Sequence, residues 1–265
     1  MSDNNNKMKV ITFINEVGGC GKTSSAQNIA YELAKDNKSV LLLDADMQGS
    51  LSLINGYTPD MLENERTIYD VIRGKCNIDK VIKSLEWSEN VKLIPANIKL
   101  SAIDTMLSNE IGREYILKNL LDTIKDSFDY AIIDCSPSLS IMSVMALTAA
   151  DIILIPVRSD YISVSGLTIL LDLIQNVSSR LNTGEKSIHL FLTLFDTRRK
   201  ISQDVKNKLY EYYDKMYVKT YIPYSVAVVD SQMKKRPVQL IGSNKAGEAY
   251  HELYIELKNK GVFNG

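Results

Sequence analysis

Gly18-Gly19-Cys20-Gly21-Lys22-Thr23 combines residue types and spacing suited to holding a phosphate chain. The apolar run Val10 to Ile14 reads as a strand, the glycines punctuate a turn, and a helix opens at Lys22 and Thr23. In that setting glycines let successive backbone N–H groups curve around an anion. The Lys22 ammonium supplies charge at β and γ phosphates, the Thr23 hydroxyl can ligate magnesium, and Ser24 continues the helical turn. The helix dipole adds to the attraction. The strict spacing G-x-x-x-x-G-K-[ST] puts Glu16 where a glycine would stand, so the loop is a variant. The plain alternative is a glycine-rich turn that binds nothing, but G-K-T at a strand-to-helix junction is far more specific than glycines alone.

Carboxylates close two further apolar strands: Asp44 and Asp46 after Val40 to Leu43, and Asp134 after Tyr130 to Ile133. Asp134 stands where an acid could reach magnesium directly or through water. Asp44 could orient an attacking water or touch the metal. Either acid alone is equally well a turn or helix-cap residue. Together with the glycine loop they predict a nucleoside triphosphate site with Lys22 and Asp44 as the catalytic pair.

These residues need a scaffold that delivers them to one crevice. Further strand-like runs are Val91 to Ile94, Ile152 to Val157, Leu190 to Leu194 and Val218 to Ile222. Helical patterns fall at Thr23 to Lys35, Ile103 to Lys125, Ser163 to Asn176, Asp204 to Met216 and Gly247 to Asn259. This alternation predicts an α/β fold, a mainly parallel twisted sheet with helices on both faces, because parallel strands need crossover connections. Ligands of such sheets sit beyond the carboxyl ends of the strands. Gly56 to Asn90, more polar, reads as a surface insertion with short helical patterns at Ile68 to Arg73 and Val81 to Leu85.

The chain has 265 residues, 45% of them hydrophobic, enough for a sizeable core. Residues 1–8 read as a flexible polar tail and 9–265 as a single domain. The 31 Lys and Arg against 32 Asp and Glu leave a net charge of -1, so a nucleic-acid partner would need a local patch. Cys20, Cys76 and Cys135 are too scattered for a disulfide framework or a metal site. With no apolar segment of signal or membrane-spanning length evident, a cytoplasmic protein is expected, with no membrane partner. His189 and His251 read as structural, and Tyr210, Tyr212, Tyr213 and Tyr217 as helix packing.

Nearly end to end, the chain resembles the ParA/Soj partition ATPases of the deviant Walker A group that also contains MinD. The resemblance is carried by Val17 to Thr23, by Leu42 to Gly49, by Phe128 to Leu139, by Ala146 to Val157 and by Leu192 to Arg198. Asp44-Ala45-Asp46-Met47-Gln48-Gly49 resembles ParA more than MinD, and the short N-terminal part suits the small Soj-like type without a helix-turn-helix domain. The resemblance implies ATP with magnesium, an ATP-dependent homodimer with nucleotide sandwiched between protomers, nonspecific DNA binding with nucleoid association, and hydrolysis stimulated by a ParB-like partner. It assigns Lys22 to phosphate, Thr23 to magnesium, Asp44 to water positioning, Asp134 to the Walker B role and Pro223 to the segment beside adenine.

Two departures stand out. The family's signature lysine in K-G-G-x-G-K-[ST] is Val17 here, which offers neither charge nor hydrogen bonds to a partner's nucleotide. Slow or absent ATPase with retained ATP binding is the expectation. A second cation such as Arg158, a switch with little turnover, or an engineered substitution each account for Val17. Arg198, Arg199 and Lys200, with Lys234, Lys235 and Arg236, form two basic clusters for DNA phosphates. Of two family arginines, Arg198 matches one, but the other is Ala227.

Overall fold

The computed structural model describes residues 8–181 and 183–263. The expected tail up to residue 7 lies outside the described residues; Met8 is only 4% exposed and packs in the core, so it does not belong to that tail.

Apolar runs too short for helices and rich in β-branched residues become the strands of one sheet. They are β1 (Lys9–Phe13), β2 (Val40–Ala45), β3 (Lys83–Leu85), β4 (Ser88–Ile94), β5 (Tyr130–Cys135), β6 (Ile152–Arg158), β7 (Ser187–Phe195) and β8 (Tyr217–Pro223). Their order is β3-β4-β2-β5-β1-β6-β7-β8. Every pairing is parallel except β3 with β4. Strands buried on both faces need no polar alternation, which is why β2 and β5 read as unbroken apolar runs ending in an acid.

The period of two still divides each strand between two cores. Leu41, Leu43, Ile133 and Ile155 face the helices Ile141–Ala149 and Leu167–Arg180. Val40, Leu42, Ile132 and Leu154 face Lys22–Lys35 and Lys245–Asn259. Register puts Asp44 beside Asp134, and Phe13 beside both Asp134 and Leu154, so the acid strands and the strand that feeds the glycine loop end together.

Four expectations change. Val81 to Leu85 is not helical: it ends a short 3-10 turn, and Lys83–Leu85 forms the antiparallel edge strand. Ile103 to Lys125 breaks into Ile103–Met106 and, after Gly112 at φ 74°, Ile116–Asp122. Helices at Ser50–Ile54, Ile141–Ala149 and Val226–Met233 were not anticipated. Tyr161–Arg180, contrary to expectation, has the length and apolar composition of a membrane span. It uses Leu167, Leu170, Ile174 and Val177 to cover the sheet.

Candidate nucleotide site

The loop between β1 and the helix Lys22–Lys35 takes its shape from Gly19 at φ 67° and Gly21 at φ 89°, conformations that glycine adopts without the steric cost a Cβ brings. Two side chains, Asn15 and Thr193, then tie it to its neighbours. Asn15, just past β1, donates through Nδ2 to the Pro156 carbonyl on β6 at 2.7 Å and accepts from the Val17 N–H at 2.9 Å. Thr193 on β7 donates through Oγ1 to the Cys20 carbonyl at 2.7 Å. Lys22, 6% exposed, folds its ammonium across the loop onto the carbonyls of Asn15 at 2.9 Å and Val17 at 3.3 Å. The cation is thus placed before any anion arrives. Cys20 is fully buried, and burial pushes its thiol pKa up, so Cys20 serves through its backbone.

A cleft of about 540 Å³ opens over the loop. Gly18 to Ser24 form its floor, with Asp46 and Ser50 on one side and Pro137 close by. Ile222, Pro223, Tyr224 and Ser225 form the opposite wall, continued by Val228, Val229 and Gln232. The expected set Gly18, Gly19, Cys20, Gly21, Lys22, Thr23, Ser24 and Pro223 therefore lines one cavity.

The acids divide. Asp134 is 1% exposed, and among the described residues both its carboxylate oxygens are sealed from solvent without a hydrogen-bond partner. Burial first, then the charge of Asp44, pushes its pKa up to about 8, while the Thr23 hydroxyl and Lys22 oppose the shift. An orphaned carboxylate close to the Thr23 hydroxyl supplies the oxygen donors a divalent cation would take, so Thr23 and Asp134 would hold it. The residues present fit magnesium.

Asp44 is fully buried and does not line the cleft. Its Oδ2 accepts from the Ser52 N–H at 2.8 Å and Ser52 Oγ at 2.7 Å, and its Oδ1 accepts from the Asp46 N–H at 3.1 Å. Ser52 Oγ in turn accepts from the Ala96 N–H at 3.1 Å. Burial raises the Asp44 pKa to about 6 against these bonds. Asp44 thus organises the turn into Ser50–Ile54, and the acid the sequence paired with it, Asp46, is the one that reaches the cavity.

Arg158 makes an ion pair with Asp160 at 2.8 Å and lines an adjoining pocket with Arg198 and Arg199, not the nucleotide cleft. Arg198, Arg199, Lys200, Lys234, Lys235 and Arg236 are all exposed. The Arg198 guanidinium is already bidentate on Asp196, at 3.0 Å through Nε and 3.0 Å through Nη2. Sequence reasoning missed Asn15, Thr193, Ser52 and Gln232. Asn15 and Ser52 could have been noticed as polar residues just beyond a strand and just beyond Gly49, while Thr193 and Gln232 lie far along the chain from the loop they serve.

A parallel sheet whose first strand runs into this glycine loop, with a buried acid ending the neighbouring strand, defines a P-loop nucleotide-binding protein. Residues 8–186 match the AAA domain family. Over 250 residues the chain is 36% identical to the chromosome-partitioning ATPase Soj of Treponema pallidum, covering 94% of this chain and 96% of that protein. It is 34% identical over 258 residues to the sporulation initiation inhibitor protein Soj of Bacillus subtilis, covering 97% and 99%. Among solved structures, cobyrinic acid a,c-diamide synthase from Mycobacterium smegmatis with bound ATP analog and magnesium superposes with a TM-score of 0.82 at 28% identity, covering 96% and 97%. A putative plasmid partition protein from Borrelia burgdorferi bound to AMPPNP gives 0.76 at 26%, covering 97% and 100%. The chain belongs to the ParA/Soj family of partition ATPases.

Proposed function

We propose that this chain binds ATP with magnesium and acts in partitioning a plasmid, chromosome or mobile element. The observation that carries the reading is the preformed loop: Lys22 already seated across it, Thr23 at the helix start and the orphaned Asp134 carboxylate beside them. The chain from Met8 onward acts as one cytoplasmic ATPase domain, associated with the nucleoid when ATP is bound. ATP closes a homodimer, the dimer binds DNA nonspecifically through the two basic clusters, and a ParB-like partner triggers release through hydrolysis.

Within the site, backbone N–H groups of Gly18 to Ser24 cradle the phosphates and Lys22 holds the β and γ charge. Thr23 and Asp134 would hold magnesium, which when bound would neutralise charge developing on the phosphates. The Ile222 to Ser225 backbone, with Pro223, borders the adenine. Asp46, not Asp44, orients the attacking water, because Asp44 has both oxygens occupied within the chain.

Val17 leaves the partner's nucleotide without the family's cross-dimer lysine, and Arg158 of the same chain is held by Asp160. Hydrolysis is therefore slow while ATP binding persists. Val17 also favours a second reading, a nucleotide-dependent binding switch with negligible turnover. Comparing the chain with Val17→Lys for ATP affinity, phosphate release, dimerisation and sedimentation with DNA or liposomes tests all of this. Equal turnover in the two, under stimulation by a ParB-like protein, would overturn the impairment. ATP-dependent sedimentation with liposomes but not DNA would overturn the partition reading.

A further inference from the structure

Gln232 is the polar side chain in the apolar part of the cleft whose orientation is fixed by the phosphate-binding helix. It sits in the last turn of the helix Val226–Met233, whose start is capped by Ser225 Oγ accepting from the Ala227 N–H. That helix follows directly from Pro223, so wall and helix form one unit on that side of the cavity. The same lining holds the apolar Ile222, Pro223, Val228, Val229, Leu53 and Ile54, together with Tyr224, which is 70% exposed, Ser225, whose hydroxyl caps the helix, and Tyr250, whose hydroxyl bonds Ser25. The apolar members are surfaces for a flat ring, and the hydroxyls of Ser225 and Tyr250 are already bonded within the chain.

The Gln232 Nε2 donates to Ser24 Oγ at 2.9 Å. Ser24 directly follows Thr23, so the bond ties the carboxamide to the first turn of the phosphate helix. Among the described residues, the other end of the carboxamide, its oxygen, has no hydrogen-bond partner. A carboxamide pinned by its nitrogen presents an acceptor with no donor beside it. A 6-amino purine offers a donor to such a group, whereas a 6-oxo purine offers a second acceptor, and two acceptors facing each other leave both unpaired.

We propose that Gln232 selects the purine: held by Ser24, its carboxamide oxygen accepts from the exocyclic amine of adenine and rejects a 6-oxo base. The inference rests on reading the cleft as a nucleoside triphosphate site. It assigns to one side chain a choice of base that the glycine loop cannot make, since the loop sees only phosphate.

The test is equilibrium binding of ATP and inosine triphosphate, each with magnesium, to the full chain and to Gln232→Leu, with Gln232→Asn as a milder variant and thermal melts verifying both folds. The unaltered chain should prefer ATP by about tenfold or more, the scale set by one buried polar contact paired against unpaired. Both variants should lose ATP affinity while holding inosine triphosphate nearly as before, so the ratio falls toward one. A merely structural Gln232 would weaken both nucleotides equally and leave the ratio unchanged, which overturns the proposal. A preference for inosine triphosphate in the unaltered chain also overturns it, since the carboxamide would then present its nitrogen. Binding of neither nucleotide would bring down the reading of the cleft together with the inference; ATP binding with an unmoved ratio would bring down the inference alone.

Discussion

Asp134 pays a cost in the nucleotide-free chain that has a measurable pH signature. Its folded pKa of about 8 lies above the ordinary carboxylate value of 3.8, so the folded state holds a proton that the unfolded state has released. Stability therefore falls as pH rises from about 4 to 8. Asp44, at about 6, adds to the slope over its lower half. Thermal melts of the nucleotide-free protein should decline through that window, and Asp134→Asn should flatten the upper part while abolishing the magnesium dependence of ATP binding. A stability rising from pH 6 to 8 would contradict the burial argument. The two acids after β2 separate in the same way. Asp44→Ala strips partners from Ser52 and the Asp46 N–H and should cost about 2–4 kcal/mol in denaturant unfolding, from several buried donors left unpaired. Asp46→Ala should melt normally and lose phosphate release. Reversal of that pattern would restore Asp44 to the role expected from its position in the motif.

At the level of elements, the glycine loop is held by strands on either side rather than by its own residues. Thr193 on β7 contributes the bond to the Cys20 carbonyl, and its methyl lies 3.6 Å from where a Cβ on Gly21 would stand. Thr193→Val keeps the shape and removes the donor. It should cost roughly 1 kcal/mol of stability and weaken ATP severalfold, measured by urea unfolding and nucleotide titration. Unaltered affinity would mean the loop holds its form without β7. Such couplings explain what the sequence could and could not disclose. Strands buried on both faces announce themselves as apolar runs, and Gly-Lys-Thr after the first of them placed the site. Lys83–Leu85 was concealed because three residues at a sheet edge carry too little pattern. Ile141–Ala149 is apolar almost throughout, so no polar face marks its period. Val226–Met233 carries little pattern: Val226, Val229 and Met233 are 64%, 53% and 78% exposed, while Gln232 lines the cleft alongside Val228 and Val229. Asp44 misled for a similar reason, since a strand-ending acid looks the same whether it faces a ligand or caps the next helix.

Over the whole molecule a net charge of -1 gives DNA no general attraction, so the DNA binding proposed above would need a local patch, and the six exposed cations after β7 and after the helix Val226–Met233 are the patch proposed for it. These clusters are not equivalent. Asp196 is held ionised by Arg198, its pKa lowered to about 2, so at any working pH a phosphate must compete with this carboxylate for the guanidinium. Among the described residues, Lys234, Lys235 and Arg236 carry no ion pair. Reversing the charges of Lys234, Lys235 and Arg236 should therefore weaken ATP-dependent DNA binding more than reversing Arg198 alone. Counterion release sets the scale, at about 0.9 in the slope of log affinity against log salt per phosphate neutralised. Removing the three cations should lower that slope by roughly 2–3 if each meets a phosphate. Asp196→Asn provides the opposite sign: it frees Arg198, so DNA should bind more tightly at low salt and the slope should steepen by about one contact's worth. Fluorescence anisotropy of a labelled duplex across a salt series reads both effects on the same protein. If Asp196→Asn weakens binding, Asp196 is positioning Arg198 for the phosphate rather than competing for it.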